Sequence, residues 1–391
     1  MHTLLPYGPA ALVLCLIDLA ADRLQAGMGA TAGFSLLLGA ALGIVFQRGR
    51  FCFQCIFRDL FDGDGRPAQS IVVALLVGML GYWLIFSAWL PDPQTGRLPP
   101  GAHIGPAGPV VIVGGMVFGL GMGLSGACIS GHLYRLGEGS VRAPFALVGA
   151  LLGFALGFWS WEPLYTLYVS RAPVRWLPQA LGYGGAMALQ AALLLAVALF
   201  LDRRRPPDKA ALSASSLPRR LLVERWPPVI AGTIVGLIGV AAYFRMEPLG
   251  VTRQIGTLAR AGAERLDLIP GRLVGLDGLA GCISRAGQLL TDNGLLIGGI
   301  VLGSFAAALA AGAFRPARQP PGKLASALFG GVLMGWGAMV SLGCTVGVLL
   351  SGIMAFAEAG WLFLVATLIG SYAARILEPS INPLGQQEMT R

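Results

Sequence analysis

The sequence predicts an all-α polytopic membrane protein with about nine or ten transmembrane helices, in two inverted-topology repeats with short re-entrant helices. Three observations carry this. The 391 residues are 55% hydrophobic and only 12% charged, with a mean hydropathy of +0.71, where soluble domains carry roughly 25% charged residues. The apolar runs are continuous rather than alternating, which excludes a β-barrel. One glycine-rich, cysteine-bearing passage occurs twice, once in each half.

Apolar runs fall near residues 8–20, 31–46, 70–90, 109–127, 144–161, 181–201, 229–245, 294–314, 324–342 and 358–376. The opening "MHTLLPYGPAALVLCLIDLA" mimics a lipoprotein signal only superficially. It lacks a basic start, and Leu14 is not the small residue that cleavage needs. It reads as an uncleaved first membrane helix over 1–30, with Cys15 as packing. A first repeat half over 31–200, a basic cytoplasmic linker over 201–228, a second half over 229–376 and a tail over 377–391 follow.

The formal charge of +9 does not point to nucleic acid, because most of the excess basic charge lies in short loops and reports topology. Residues 201–226 hold seven Lys/Arg against three acids, and 314–323 hold three with none. Both segments belong on the cytoplasmic side. Counting spans backwards puts 134–142 and 47–59 there too, and 91–108 outside. The six cysteines sit at apolar or turn positions and do not form a secreted disulfide framework.

In "GMVFGLGMGLSGACISG", residues Gly115, Gly119, Gly121, Ser125, Cys128 and Gly131 match Gly331, Gly335, Gly337, Ser341, Cys344 and Gly347 of "GVLMGWGAMVSLGCTVG". The first copy runs from outside to inside and the second from inside to outside. Less sharply, Gly39 and Gly43 match Gly232 and Gly236. Closely spaced glycines weaken a helix by about 1 kcal/mol each. In lipid, broken backbone survives only inside protein or beside a water-filled cavity. Gly126, Gly131, Gly343 and Gly347 therefore mark turns that deliver Cys128 and Cys344 to a pathway. The competing reading is close helix packing, with cysteine as a small hydrophobe.

In "QRGRFCFQCIFRD", Cys52 and Cys55 have redox or metal spacing. Zinc needs two more ligands, and the three histidines offer no second pair at suitable spacing. No metal and no cofactor are expected. Arg48, Arg50 and Arg58 either make this mouth attractive to anions or anchor a cytoplasmic loop. Cys282, in "LAGCISRAGQ", echoes the Cys-Ile-Ser of the first copy. Arg285 on the next turn either holds an anion or faces a headgroup. After Cys128 come His132, Tyr134, Arg135 and Glu138. They form either an exit gate or an ordinary surface turn, with Arg135 and Glu138 spaced to pair. The surface turn is the reading favoured for His132.

Together, "QRGRFCFQCIFRD", "GLGMGLSGACISGHLYRLGEG" and "GWGAMVSLGCTVG" resemble the YeeE/YedE family of bacterial inner-membrane proteins, over roughly residues 30–376. The resemblance implies uptake of sulfur compounds. It implies thiosulfate transport for the members understood best, through an hourglass-shaped protein in which cysteines relay the ion. By motif, the pathway cysteines fall on Cys52, Cys128 and Cys344, and Arg135 and Glu138 lie within the match. Cys55 is an extra thiol at the mouth, and Cys282 is not one of the positions the motifs carry over. Relatives often work beside a small TusA-like sulfurtransferase carrying a Cys-Pro motif. This chain contains no Cys-Pro dipeptide, so such a partner is expected to be a separate polypeptide.

The expected mechanism is transport, not catalysis. A buried dianion is costly unless compensated. Short-helix N-termini, neutral thiols with weak S–H bonds and basic residues at the mouth supply that compensation. Weak repeated sites suit permeation. Thiolates would repel a dianion, so neutral thiols are expected. Three rivals stand beside this reading: a membrane thiol-redox or sulfur-transfer protein using Cys52 and Cys55, a structural subunit, and a transporter of selenium or other sulfur species. No G-x-x-x-x-G-K-[ST] signature occurs.

Overall fold

The computed structural model describes residues 7–204, 217–276 and 290–381. Among them, nine helical stretches are long and apolar enough to cross a bilayer. The protein is an all-α, multi-pass membrane protein. Its outer surface fits a lipid solvent: Leu84, Trp159, Leu199, Phe244 and Val365 all stand more than half exposed, an arrangement water would not tolerate over so wide an area.

The first helix, α1, spans Gly8–Met28. It carries Asp18, Asp22 and Arg23 and is not among the nine. The first half continues with α2 (Ala30–Gly49), α3 (Phe53–Phe61), α4 (Gln69–Trp89), α5 (Pro109–Ser125), α6 (Ile129–Gly137), α7 (Arg142–Trp159), α8 (Trp161–Leu167) and α9 (Leu177–Arg203). A short α10 (Leu217–Leu222) precedes α11 (Pro228–Arg245), α12 (Arg253–Arg265), α13 (Asp292–Ala310) and α14 (Pro321–Val340). A π-helical turn (Thr345–Ser351), α15 (Gly352–Met354) and α16 (Glu358–Ile381) complete the described chain.

Local chemistry sets the ends. Proline at the first turn opens α5, α11 and α14, where a missing N–H costs nothing. Thr291 caps α13 by accepting from the Gly294 amide at 3.2 Å. Gly126, at φ +82°, closes α5, as a left-handed cap requires.

Glycine permits the helix contacts. A Cβ on Gly39 or Gly43 of α2 would strike the carbonyl oxygen of Leu296 or Ile300 on α13. One on Gly232 or Gly236 of α11 would meet those of Ser70 or Ala74 on α4. Gly119 of α5 lies against the Thr367 carbonyl of α16, and Gly335 of α14 against the Ala150 carbonyl of α7. Between α5 and α14, Gly121 approaches the Gly330 carbonyl and Gly337 the Gly114 carbonyl. Backbones this close gain dispersion contacts that lipid tails do not offer in equal density.

Contacts between loops define two ends. At one, Arg48 donates to the carbonyls of Leu222 and Val223, the Gly65 amide bonds the Arg204 carbonyl, and the Arg315 amide bonds the Glu138 carbonyl. The described parts of the four basic loops therefore meet at a single end. At the other, Pro106 bridges Val174 and Trp176 bridges Ala357, while the Tyr243 hydroxyl donates to the Pro100 carbonyl at 2.7 Å.

Candidate functional site

Two short helices begin at cysteines. Arg50 takes a left-handed φ of 50° after α2, which turns the chain so that Cys52 caps α3 in an extended conformation. The Gly126 turn likewise leaves Cys128 as the extended cap of α6. Both thiols are fully buried, and their sulfurs lie 3.9 Å apart. The Gly131 amide donates to Cys128 Sγ at 3.3 Å, and Ser130 Oγ sits 3.2 Å from the same sulfur. A Cβ at position 131 would stand 2.7 Å from Cys52 Sγ. Glycine at that place is what admits the second thiol.

In the second half, Leu342 and Gly343 take φ of 63° and 150°, and buried Cys344 caps the π-helical turn. Gly347 lies within that turn. His103 packs on Gly343, 3.3 Å from where a Cβ would stand. The α14 helix starts near the basic end, so Cys344 lies toward the end opposite Arg48 and Glu138.

Beside the Cys52–Cys128 pair, at the basic end, a cavity of about 330 Å³ opens. Cys55, Arg58, Arg135, Arg142 and Arg375 line it, with Asp62 as the acid among its lining residues. Asp62 is engaged by Arg375 at 2.8 Å. Arg135 donates to Cys55 Sγ at 2.8 Å and to the Gly126 carbonyl at 3.1 Å. It thus ties the cavity to the turn before Cys128.

Other residues singled out from the sequence are placed differently. Arg135 turns to Cys55 and Gly126, while Glu138 accepts from Gln47 Nε2 at 3.1 Å. The helical spacing of Arg135 and Glu138 permitted a pair that burial redirects. Arg48 is buried and held by carbonyls, so it does not charge the mouth. Arg50 is exposed and does not line the cavity; Arg58 does. His132, read as part of a surface turn, is 2% exposed, because α6 lies inside the bundle. Neither of its ring nitrogens has a hydrogen-bond partner among the described residues. Cys282 and Arg285 lie outside the described residues.

Sequence reasoning missed Arg142, Arg375, Gln54 and Ser371. The Ser371 hydroxyl donates to Gln54 Oε1 at 2.8 Å at the cavity wall. Arg375 had one available signal: a basic residue near the basic end of an otherwise apolar helix.

A family model described as "Sulphur transport" matches residues 48–373. A thiosulfate transporter, TsuA, of Escherichia coli K12 is 28% identical over 367 residues, covering 87% of this chain and 92% of that protein. A thiosulfate transporter, TsuA, of Spirochaeta thermophila is 30% identical over 352 residues, covering 86% and 96%. A probable transporter, YedE, of Salmonella typhimurium is 33% identical over 131 residues, or 33% of this chain and 30% of that protein.

Proposed function

The chain belongs to the sulphur-transport family, the YeeE/YedE-like group, and on that premise we propose that it takes up thiosulfate or a closely related small sulfur anion. The path runs through the bacterial inner membrane by way of Cys52, Cys128 and Cys344. The observation that carries this is the Cys52–Cys128 pair: two buried thiols 3.9 Å apart at the starts of two short helices. A structural role alone gives no reason to bring two polarizable thiols and a backbone N–H to one point.

The architecture proposed is an inverted repeat with re-entrant segments. Reciprocal packing supports it. In the sequence match, Gly115 answers Gly331, so Gly114 answers Gly330 and Gly121 answers Gly337. The Gly121 contact with Gly330 and the Gly337 contact with Gly114 are then one contact made twice. Likewise α2 on α13 repeats as α11 on α4, and α5 on α16 as α14 on α7. The chain leaves Arg48 at the basic end and returns there by Gly65, which supports a re-entrant α3.

A thiosulfate dianion sheds water in the narrow region and needs donors in exchange. Cys128 and Cys52 offer S–H groups, and the first turns of α3 and α6 offer the positive end of a dipole and N–H groups, of which that of Gly131 rests on Cys128 Sγ. Each donor is weak, so the ion moves on instead of being trapped. No bond to sulfur forms or breaks, and the protein acts as a transporter, not an enzyme. A separate TusA-like protein as recipient of the ion belongs to the same proposal.

Proteoliposomes holding the purified protein test this. Radiolabelled thiosulfate enters them, selenite or sulfite competes in proportion to likeness, and sulfate, lacking the soft terminal sulfur, competes poorly. Liposomes that accumulate no label above protein-free controls overturn the reading.

A further inference from the structure

The cavity beside Cys55 does something the cysteine pair cannot. Four guanidinium groups, of Arg58, Arg135, Arg142 and Arg375, line it, with Asp62 as the acid among its described lining residues; Arg375 engages Asp62 at 2.8 Å, and Arg58 reaches its exposed neighbour Asp59 at 3.4 Å. A concave wall with an excess of one sign of charge concentrates counter-ions. Its volume of about 330 Å³ compares with about 30 Å³ per water. A tetrahedral oxyanion fits there with several of its waters still in place.

We propose that this basin is a charge-selective holding site for a hydrated divalent oxyanion at the cytoplasmic end of the path, and that discrimination in favour of sulfur occurs separately, at Cys52 and Cys128, which an ion taken up meets first. The proposal rests on the transport reading and adds a separate station to it. An ion in the basin keeps its water, so it loses little hydration energy and exchanges quickly. Guanidinium groups reach sulfate and thiosulfate oxygens equally well, so the basin reads charge and not sulfur. Arg135 joins the two stations, with one nitrogen on Cys55 Sγ and the other on the Gly126 carbonyl.

Cys55 is the thiol among the lining residues and reports on the basin in the full-length protein. Its alkylation in detergent is followed by mass spectrometry with anionic iodoacetate and neutral iodoacetamide. The expected ratio of the two rates exceeds that of free cysteine in the same buffer at least threefold. Sulfate and thiosulfate each slow iodoacetate at Cys55 to a similar extent, and sodium chloride at equal ionic strength does so far less. Arg58→Gln and Arg375→Gln each lower the rate ratio. Arg58 is well exposed at 63% of its side chain, so its replacement stays informative if Arg375→Gln folds poorly.

A ratio equal to that of free cysteine, or protection by chloride matching that by sulfate, overturns the basin. Protection by thiosulfate but not sulfate overturns the division between charge reading and sulfur reading. Protection by both anions without thiosulfate uptake in liposomes leaves the basin standing and removes the transport reading. Uptake without protection does the reverse.

Discussion

Cys52 and Cys128 face each other at 3.9 Å between sulfurs, although 76 residues separate them in the chain. Two independent breaks produce this meeting, the left-handed Arg50 after α2 and the left-handed Gly126 after α5. If the pair marks the path, Cys52→Ala, Cys128→Ser and Cys344→Ser each cut thiosulfate uptake at least tenfold, while membrane levels of the protein hold. Cys55→Ala keeps most uptake, since Cys55 lines the basin and not the pair. Loss of uptake in Cys55→Ala together with a thiol count that changes with redox state favours the sulfur-transfer rival. Normal growth on thiosulfate by all three pathway variants removes the cysteine relay.

His132 is buried with both ring nitrogens lacking a hydrogen-bond partner among the described residues. An unsatisfied buried polar group costs about 1–3 kcal/mol, and its retention asks for a purpose. His132→Leu is expected to raise the thermal midpoint in detergent while lowering uptake. A lower midpoint with unchanged uptake makes the imidazole a packing element instead.

The approach of α5 to α14 leaves no room for a side chain at Gly121, where a Cβ would stand 2.5 Å from the Gly330 carbonyl oxygen. Gly121→Val therefore destabilises by about 1–3 kcal/mol, the usual range for overpacking, and Gly337→Val behaves alike. Gly184 of α9 meets nothing within 4 Å. Gly184→Ala leaves the stability unchanged or raises it, by at most about 1 kcal/mol. Equal melting of all three variants contradicts the helix contact.

Arg48 holds the end of α10 and the residue after it through the Leu222 and Val223 carbonyls, at 2.9 and 2.7 Å. The Trp226 amide returns a bond to the Arg48 carbonyl. Hydrogen bonds from a charged donor contribute about 1.5–3 kcal/mol. Arg48→Met is expected to speed tryptic cleavage after Arg219, Arg220 and Arg225 about tenfold. Unaltered digestion shows that the segment is held by other contacts.

His103 sits in the loop between α4 and α5, outside the membrane-spanning stretches, and is 4% exposed. Burial first, and the nearby Arg253 second, pull its imidazole from 6.5 down to about 4. Between those values the unfolded chain binds a proton that the folded protein refuses. Stability is present above the unfolded value and is lost as pH falls through this window. At pH 5 the loss from this group is about 2 kcal/mol. The fall in thermal midpoint between pH 7.5 and pH 5 should shrink in His103→Gln. An unchanged pH profile assigns the acid sensitivity to other groups.

The membrane class, the nine apolar stretches and the two cysteine-glycine passages were legible because each is written in consecutive residues. Hydrocarbon thickness dictates run length, and glycine stands at or beside each break, at Gly49, Gly126 and Gly343. The basic loops were legible as a group for the same reason, since their charge is local. The surroundings of each side chain were not. Glu138 was spaced to pair with Arg135, yet Gln47 reached it first. His132 followed a cysteine in a polar run and still ended inside the bundle.

What the sequence determined by itself is therefore the medium and the family: a polytopic helical chain of the sulphur-transport kind, with thiols set behind helix-breaking glycines. Only the tertiary structure decided that Cys52 meets Cys128, that Arg135 bonds Cys55, and that Arg58, Arg142 and Arg375 enclose one cavity. These residues lie on α3, α6, α7 and α16, or at the edge of one of them, and no period relates them. Helix propensity acts within a few residues. The choice of which helices touch belongs to packing between backbones, here admitted by glycines that leave neighbouring carbonyls uncovered.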